Sequence, residues 1–242
     1  MKRSAFLVGR TFWILTAVLL VTAPDVFAQY LNLQQHMDFG KNRHYFTTTL
    51  EGMAVDNYGS WFGFIDVDHE SKSSGTANSN WHLGAQLIYF EINRYFSLRG
   101  LSNNAFLQRW DITVQYNDSD AAYIPMAYLI GISCNRILGN FCDAHLEFLL
   151  RKEEKQKLGW QLTAVWAKEF HLGRGRWQLC GYFDWWKNDS GKFWMAEPQI
   201  LFNLEQLGIG SRFWLGSKCE INIGPQNSNN SVNPTIFLQY DF

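Results

Sequence analysis

The stretch "FGFIDVDHE", residues 62–70, alternates aromatic and acidic side chains along one face of a candidate strand. Successive side chains of an extended chain point to opposite faces, so Phe62, Phe64, Asp66 and Asp68 share one face. The rings can stack on a flat solute, and the carboxylates beside them can accept its hydrogen bonds. This face therefore suits chemistry in water, whereas the opposite, small and aliphatic face suits an apolar environment.

The same stretch offers a hydrolytic or metal-binding alternative. Asp66, Asp68 and His69 are residue types that hydrolases use near a rim, and Glu70 would add a further metal ligand. Adjacent residues of a strand do not converge on one point, so we predict no metal and no cofactor here. A lipase would also need a serine beside a histidine at the lipid boundary, and His145 lies in mid-strand. We therefore predict no catalytic residues and keep an outer-membrane hydrolase as the less favoured alternative.

The first 28 residues have the pattern of a secretory signal peptide. Lys2 and Arg3 precede an apolar run at 12–23, and Val26 and Ala28 occupy the positions −3 and −1 before Gln29. The run is shorter than the roughly 20 residues of a spanning helix. We predict a signal peptide at 1–28 and a transmembrane β-barrel at 29–242.

The composition of the predicted mature chain excludes some partners. Its 214 residues carry 18 basic and 21 acidic groups, so no basic excess points to nucleic acid. Aromatic residues make up 17% of the sequence, yet the mean hydropathy is only −0.21. Apolar and polar residues must therefore be finely mixed.

The four cysteines form no zinc-type spacing. Cys134 and Cys142 flank a predicted turn, "RILGN", and could face each other across a hairpin. A disulfide and two buried thiols both fit this spacing.

From Gln29 onward the sequence shows about twelve stretches with period-two alternation, broken by Gly, Asn, Asp and Ser. In "CDAHLEFLL" the polar residues at 143, 145 and 147 oppose apolar residues at 144, 146, 148 and 150. About 18 residues per strand and connection fit membrane strands of about 9–11 residues. Pro125 and Pro198 fall inside predicted strands, where they would cause a bulge or mark a misplaced boundary.

Aromatic residues near strand ends favour a membrane protein over a soluble sandwich, because such girdles mark the two membrane interfaces. On the predicted apolar face they are Trp81, Tyr89, Trp110, Tyr116, Trp160, Trp166, Trp177, Trp185 and Tyr240. Lipid does not tolerate unpaired strand edges, so a spanning sheet must close on itself. The sequence therefore predicts an all-β fold: a closed antiparallel transmembrane β-barrel of about 12 strands. Short connections and both termini should lie at one end, in the periplasm, and more polar connections at the other.

Several stretches resemble the Tsx-like nucleoside-specific channel-forming proteins of the outer membrane. They are "HYFTTTLEGMAVDNYGSWFGFIDVD", "YFEINRYFSLRGL", "GYFDWW" and the terminal "LQYDF". The second differs from the "EI-x-x-RFS" pattern of that family in the position of Arg94. The resemblance implies a narrow twelve-stranded barrel for passive diffusion of nucleosides or similar solutes.

The remaining expectations concern location and partners. Phe242, with Tyr240 on the same face, is the type of end that the barrel-assembly machinery recognises. We expect a monomer in the outer membrane of a Gram-negative bacterium, surrounded by outer-membrane lipid.

We predict that polar side chains line a lumen that passes small polar solutes such as nucleosides. A non-conducting barrel that binds a ligand or partner is the alternative. The predicted pore-lining residues are Asp38, Glu51, Phe62, Phe64, Asp66, Asp68, Arg109, Asp111, Glu147, Asp184, Glu197 and Arg212.

Overall fold

The computed structural model describes residues 27–40, 43–69, 85–101, 104–121, 123–225 and 230–242. The predicted signal peptide and Trp81 lie outside these residues, except that the first strand begins two residues before the predicted cleavage site. The described residues form twelve strands: β1 (Phe27–Asp38), β2 (Phe46–Asp56), β3 (Gly59–His69), β4 (Ala85–Ser97), β5 (Trp110–Ser119), β6 (Ala127–Asn135), β7 (Asp143–Glu153), β8 (Leu158–Leu172), β9 (Gly175–Asn188), β10 (Gly191–Asn203), β11 (Phe213–Ile223) and β12 (Ser231–Asp241).

The strands form one closed antiparallel barrel in which each strand pairs with its neighbours in sequence and β12 pairs with β1. Beyond the last strand, the Phe242 amide donates to the Leu31 carbonyl at 3.0 Å and extends this seam. Closure satisfies the lateral hydrogen bonds of every strand, which a sheet in lipid requires. The predicted fold class is confirmed.

The barrel has two distinct ends. Both termini lie at one, which we call the terminal end, together with the connections 57–58, 98–109, 136–142, 173–174 and 204–212. The opposite, loop end carries the other connections between the strands. Short 3₁₀ turns at Leu98–Leu101, Leu107–Arg109 and Leu204–Leu207 fill the longer terminal-end connections. None of the helical segments in the described ranges is long and apolar enough to cross a membrane.

Contacts between strands that are not neighbours identify the inner face of the wall. The Tyr95 hydroxyl of β4 donates to Glu147 of β7 at 2.8 Å, across the interior. Residues paired with these two positions around the barrel therefore point inward, and they are mostly polar. On the outer face Ile130 and Leu150 remain 54% and 52% exposed. The predicted polar-in, apolar-out alternation matches this pattern.

The outer face carries most of the predicted aromatic girdle. The register directs outward Trp110, Tyr116, Trp160, Trp166, Trp177, Trp185 and Tyr240. The prediction for Tyr89 is wrong, because this residue points inward and its hydroxyl bonds Glu91. The ring is compatible with either face, and the buried carboxylate gives its hydroxyl a partner inside.

Arg94 of β4 points outward at the terminal end. Its Nη2 lies 2.9 Å from Asp56 Oδ1, and its guanidinium lies 4.8 Å from the Trp61 ring and 4.7 Å from the Phe96 ring. An ion pair sheltered by aromatic rings is a favourable way to hold a charge beside lipid.

The two prolines and the four cysteines show which of the alternatives predicted for them is correct. Pro198 lies within β10, where pairing with β11 skips Glu197 and Pro198 and then resumes in the same register without a bulge. Pro125 precedes β6, so the predicted strand boundary was misplaced. All four cysteines are free thiols, so Cys134 and Cys142 form no disulfide in this structure.

Candidate functional site in the lumen

The lumen is lined mainly by carboxylates and their hydrogen-bond donors. Ten of the twelve predicted pore-lining residues lie on strands with their side chains directed inward. They are Asp38, Glu51, Phe62, Phe64, Asp66, Asp68, Asp111, Glu147, Asp184 and Glu197.

Two predicted residues lie elsewhere. Arg109 is exposed in a 3₁₀ turn before β5, because the strand begins at Trp110. Arg212 is exposed in the turn before β11, and its Nη1 lies 3.3 Å from the Tyr240 hydroxyl. The alternation of β5 and β11, extended beyond the strand ends, predicts both arginines to be inward. This prediction is wrong, because neither residue lies on an inward strand position.

Threonines of β2 and β12 hold the acids on one side of the lumen. Thr49 donates to Asp66 at 2.5 Å, and Thr47 donates to Asp68 at 2.7 Å. Asp38 accepts from Thr235 at 2.5 Å. Hydroxyl groups thus replace part of the water that these carboxylates lose in a narrow interior.

Lys218 of β11 is the cation of this region. Its Nζ lies 3.1 Å and 3.2 Å from the two carboxylate oxygens of Glu197 on β10. It also attracts Asp66 of β3 and Glu51 of β2, although the wall places three strands between β11 and β3. Lys218 therefore points into the same interior as acids from several strands.

A second cation lies on the opposite side. Arg151 of β7 donates to Glu153 at 2.7 Å and to Gln161 at 2.6 Å, and its guanidinium lies 5.4 Å from the Trp186 ring. Asp184, a predicted lumen residue, accepts from Thr163 at 2.5 Å and from Gln161 at 3.2 Å.

Glu147 joins strands across the lumen. It is 1% exposed and accepts from Tyr95 at 2.8 Å and from Gln115 at 2.6 Å. A buried carboxylate with two donors keeps its hydrogen bonds without water. Asp111, nearer the terminal end, accepts from Asn135 at 2.6 Å.

Inward rings form a short track next to the acids. The Phe62 and Phe64 rings are 6.2 Å apart, and Phe64 lies 5.8 Å from Tyr89. The Tyr89 hydroxyl donates to Glu91, which also accepts from Asn117 at 3.2 Å. Aromatic and acidic groups therefore alternate along this part of the lumen.

The loop end carries a mouth with two unlike sides. On one side Tyr89, Asn117, Arg151, Trp186 and Phe193 help to line a cavity of about 370 Å³. On the other side Arg43, from the β1–β2 connection, lies 3.0 Å from Glu220 of β11. Burial opposes the charged form of Arg43, but attraction by Glu220 outweighs it and raises the pKa of Arg43 above its ordinary value.

Several lumen residues were missed from the sequence. Lys218 follows "WLGS", which reads as a strand end, and Glu153 lies in "RKEEKQK", which reads as a solvated loop. Glu91 and Tyr95 continue the alternation of β4, and this pattern could have found them. Within the described ranges, no group of three or more His, Cys, Asp or Glu side chains is arranged to hold a metal ion.

Solved structures with this architecture are outer-membrane porins. The KdgM porin gives a TM-score of 0.51 at 10% identity, covering 88% of this chain and 99% of that chain. A KdgM porin in complex with disordered oligogalacturonate gives 0.50 at 9% identity, with coverages of 88% and 99%. The NanC porin in a rhombohedral crystal form gives 0.50 at 8% identity, with coverages of 87% and 98%. The chain thus has the fold of a twelve-stranded outer-membrane porin barrel.

The sequence itself defines a narrower group. Residues 28–242 match the family described as "Domain of unknown function (DUF5020)", and the chain belongs to this family. No curated protein matches the sequence. These comparisons establish the barrel but not the Tsx-like relationship that the quoted motifs indicate.

Proposed function

We propose that this protein is an outer-membrane channel through which small polar solutes diffuse passively. The observation that carries the proposal is a lumen lined largely by acids, amides and hydroxyls inside an apolar outer wall. A polar interior supports the passage of hydrated solutes, and an apolar exterior supports residence in lipid.

The balance of charge makes neutral and cationic solutes the favoured class. Lys218 and Arg151 face many inward carboxylates, which include Asp66, Glu91 and Asp184. A narrow, low-dielectric passage with excess negative charge concentrates cations and repels anions. Oligogalacturonate, the polyanion named with one similar structure, would meet this repulsion here.

Planar-bilayer recording of the purified protein tests the proposal. Under a KCl gradient we expect open steps whose reversal potential shows preference for K⁺. Liposome swelling should be faster with uncharged sugars than with galacturonate of similar size. A preparation that is folded, by its β-sheet circular dichroism, yet never conducts would contradict the channel function.

A finer proposal is that nucleosides use the ring track. It is supported by the sequence resemblance and by the inward rings of Phe62 and Phe64 next to Asp66. Stacking on a base contributes about 1–3 kcal/mol in nucleic-acid sites, so Phe64→Ala combined with Asp66→Asn should lower uridine uptake by liposomes several-fold. The matched control is the outward pair Phe90→Ala and Asp118→Asn. Equal uridine flux in all three proteins would refute the nucleoside track.

The contacts across the lumen favour a second candidate, a barrel that binds a ligand without conducting. The Tyr95–Glu147 hydrogen bond and the Lys218 group narrow the passage from opposite sides. Small barrels can be filled by their own side chains. Saturable ligand binding by a protein that remains silent in bilayers would establish this candidate.

A further inference from the structure

Lys218 occupies an unusual position among the groups of the lumen. Its ammonium is held by both oxygens of Glu197 and lies within the attraction of Asp66, Glu51 and Glu220. Its side chain is only 18% exposed, so Lys218 is largely buried among its partners inside the barrel. The carboxylates come from β2, β3, β10 and β11, which means that they converge from different sides of the barrel.

We propose that Lys218 is a tethered counter-cation that determines the ion selectivity of the lumen and occupies a place that free cations would otherwise take. The part of this inference that concerns ion selectivity rests on the proposed channel function. The part that concerns the place occupied by the Lys218 ammonium rests on the lumen geometry alone. The chemical class of ligand for the vacated place is a small hydrated cation, because the surrounding carboxylates are oxygen donors but, among the described residues, are not grouped closely enough to coordinate a bare metal ion.

The geometry around Glu197 supports a defined place rather than a diffuse acidic region. Gln199 donates to Glu197 Oε1 at 2.8 Å, so the carboxylate that holds Lys218 is itself held. Thr49 fixes Asp66 in the same way, at 2.5 Å. Carboxylates held by these hydrogen bonds, within β10 for Glu197 and from β2 for Asp66, keep their positions when the ammonium is removed. Their mutual repulsion then favours uptake of a cation from solution.

The size of the selectivity change follows from Coulomb's law. A unit charge about 5 Å from a permeating ion changes its local concentration about fourfold in a medium with the dielectric constant of water. Removal of Lys218 raises the concentration of K⁺ and lowers that of Cl⁻. The permeability ratio of K⁺ to Cl⁻ should therefore rise roughly fifteenfold in Lys218→Met.

The experiment compares the full-length mature protein with Lys218→Met, Lys218→Arg and the outward-facing control Lys187→Met. Reversal potentials under a KCl gradient should shift toward the K⁺ potential in Lys218→Met only. Lys218→Arg keeps the charge and should retain the original selectivity. An unchanged reversal potential in Lys218→Met, or the same shift in Lys187→Met, would overturn the selectivity role.

A second measurement does not depend on conduction. Terbium ion luminescence, sensitised by Tyr182 beside Glu197, should appear at a terbium concentration at least tenfold lower in Lys218→Met than in the unsubstituted protein. Calcium should compete. The double variant Lys218→Met with Glu197→Gln, which removes a cation and an acid together, should lose this binding and show a smaller selectivity shift than Lys218→Met.

The two measurements separate the inference from the proposed function. A barrel that never conducts, but binds terbium after Lys218→Met and not after Lys187→Met, refutes the channel and supports the tethered cation. A barrel that conducts, but shows neither altered selectivity nor new terbium binding in folded Lys218→Met, refutes the tethered cation and leaves the channel intact.

Discussion

At the scale of single residues, the lumen shows how acids can be packed closely inside a barrel. Glu147 keeps two donors, Tyr95 and Gln115, although it is almost fully buried. Asp66 and Asp68 each take a threonine hydroxyl from the neighbouring strand. Loss of one donor leaves a buried carboxylate partly unsatisfied, and this penalty exceeds the value of an ordinary surface hydrogen bond.

We predict that Tyr95→Phe opens the lumen and weakens the barrel. The variant loses the hydrogen bond that joins β4 to β7, so single-channel conductance should rise while the free energy of unfolding in urea falls by about 1–3 kcal/mol. Tyr240→Phe is the matched control, because this outward hydroxyl accepts a hydrogen bond from the exposed Arg212 and takes no part in the lumen. Equal conductance and stability in both variants would show that the Tyr95–Glu147 hydrogen bond affects neither the width of the lumen nor the stability of the barrel.

Single residues also show which side-chain directions can be predicted from the sequence and which cannot. Alternation placed Glu147, Asp184 and Glu197 correctly on the inner face, because the pleat fixes the direction of every second side chain. Arg109 and Lys218 show the limit. Because the lumen is polar, the sequence does not change in polarity where a strand ends. A charged residue inside the strand and one just beyond its end therefore cannot be distinguished from the sequence. Only cross-strand partners, such as Glu197 for Lys218, distinguish the two cases.

At the scale of elements, the backbones of β9 and β10 approach each other closely at Gly181. Gly181 has a φ of 152°, and a Cβ there would lie 2.4 Å from the Glu197 carbonyl oxygen and 2.9 Å from a carbon of the Trp166 ring. This glycine faces Pro198, whose missing amide interrupts the ladder to β11. The close approach thus occurs beside the one carboxylate that holds Lys218.

We predict that Gly181→Ala destabilises the barrel by about 1–3 kcal/mol through backbone strain and the steric contact with β10. Tryptophan fluorescence during urea unfolding from lipid vesicles measures the change. Gly100→Ala, at a position with no atom within 4 Å of the added Cβ, is the control and should be neutral. A neutral Gly181→Ala would mean that β9 and β10 shift apart without cost.

Element boundaries were the least predictable part of the fold. The sequence ended β11 near Gly216, whereas the strand continues to Ile223 because Glu220 and Asn222 find inward partners, including Arg43 and Ser231. β7 likewise runs to Glu153, which accepts from Arg151 and Asn188. In both strands side-chain partners inside the lumen, rather than hydrophobicity, sustain the strand.

At the scale of the whole molecule, the strand number, closure and alternation followed from the sequence. Lipid imposes closure and alternation on any spanning sheet, and the number of alternating stretches in the sequence predicts the strand number. The arrangement across the lumen did not follow, because contacts such as Tyr95 with Glu147 depend on the diameter and stagger of the barrel. The signal peptide at 1–28, the monomeric state and the role of Phe242 stay predictions.

We predict that removal of Phe242 reduces the amount of heat-modifiable barrel in outer-membrane fractions several-fold. The residue supplies the aromatic end that assembly machinery would recognise, and its amide bonds Leu31 at the seam. Phe242→Tyr keeps both properties and should assemble normally. To separate recognition from stability, the truncated protein should still fold in detergent micelles. Normal membrane assembly without Phe242 would contradict the recognition role.

The pairing of β1 with β12 has a consequence for biogenesis. The first and last strands of the barrel are neighbours in the finished wall. The cylinder therefore cannot shut until the final segment has been synthesised and delivered, and both free edges must be shielded until then. A chain that stops before closure exposes unpaired strand edges that can pair with other chains. The protein must therefore be protected from aggregation throughout its export and not only in the membrane.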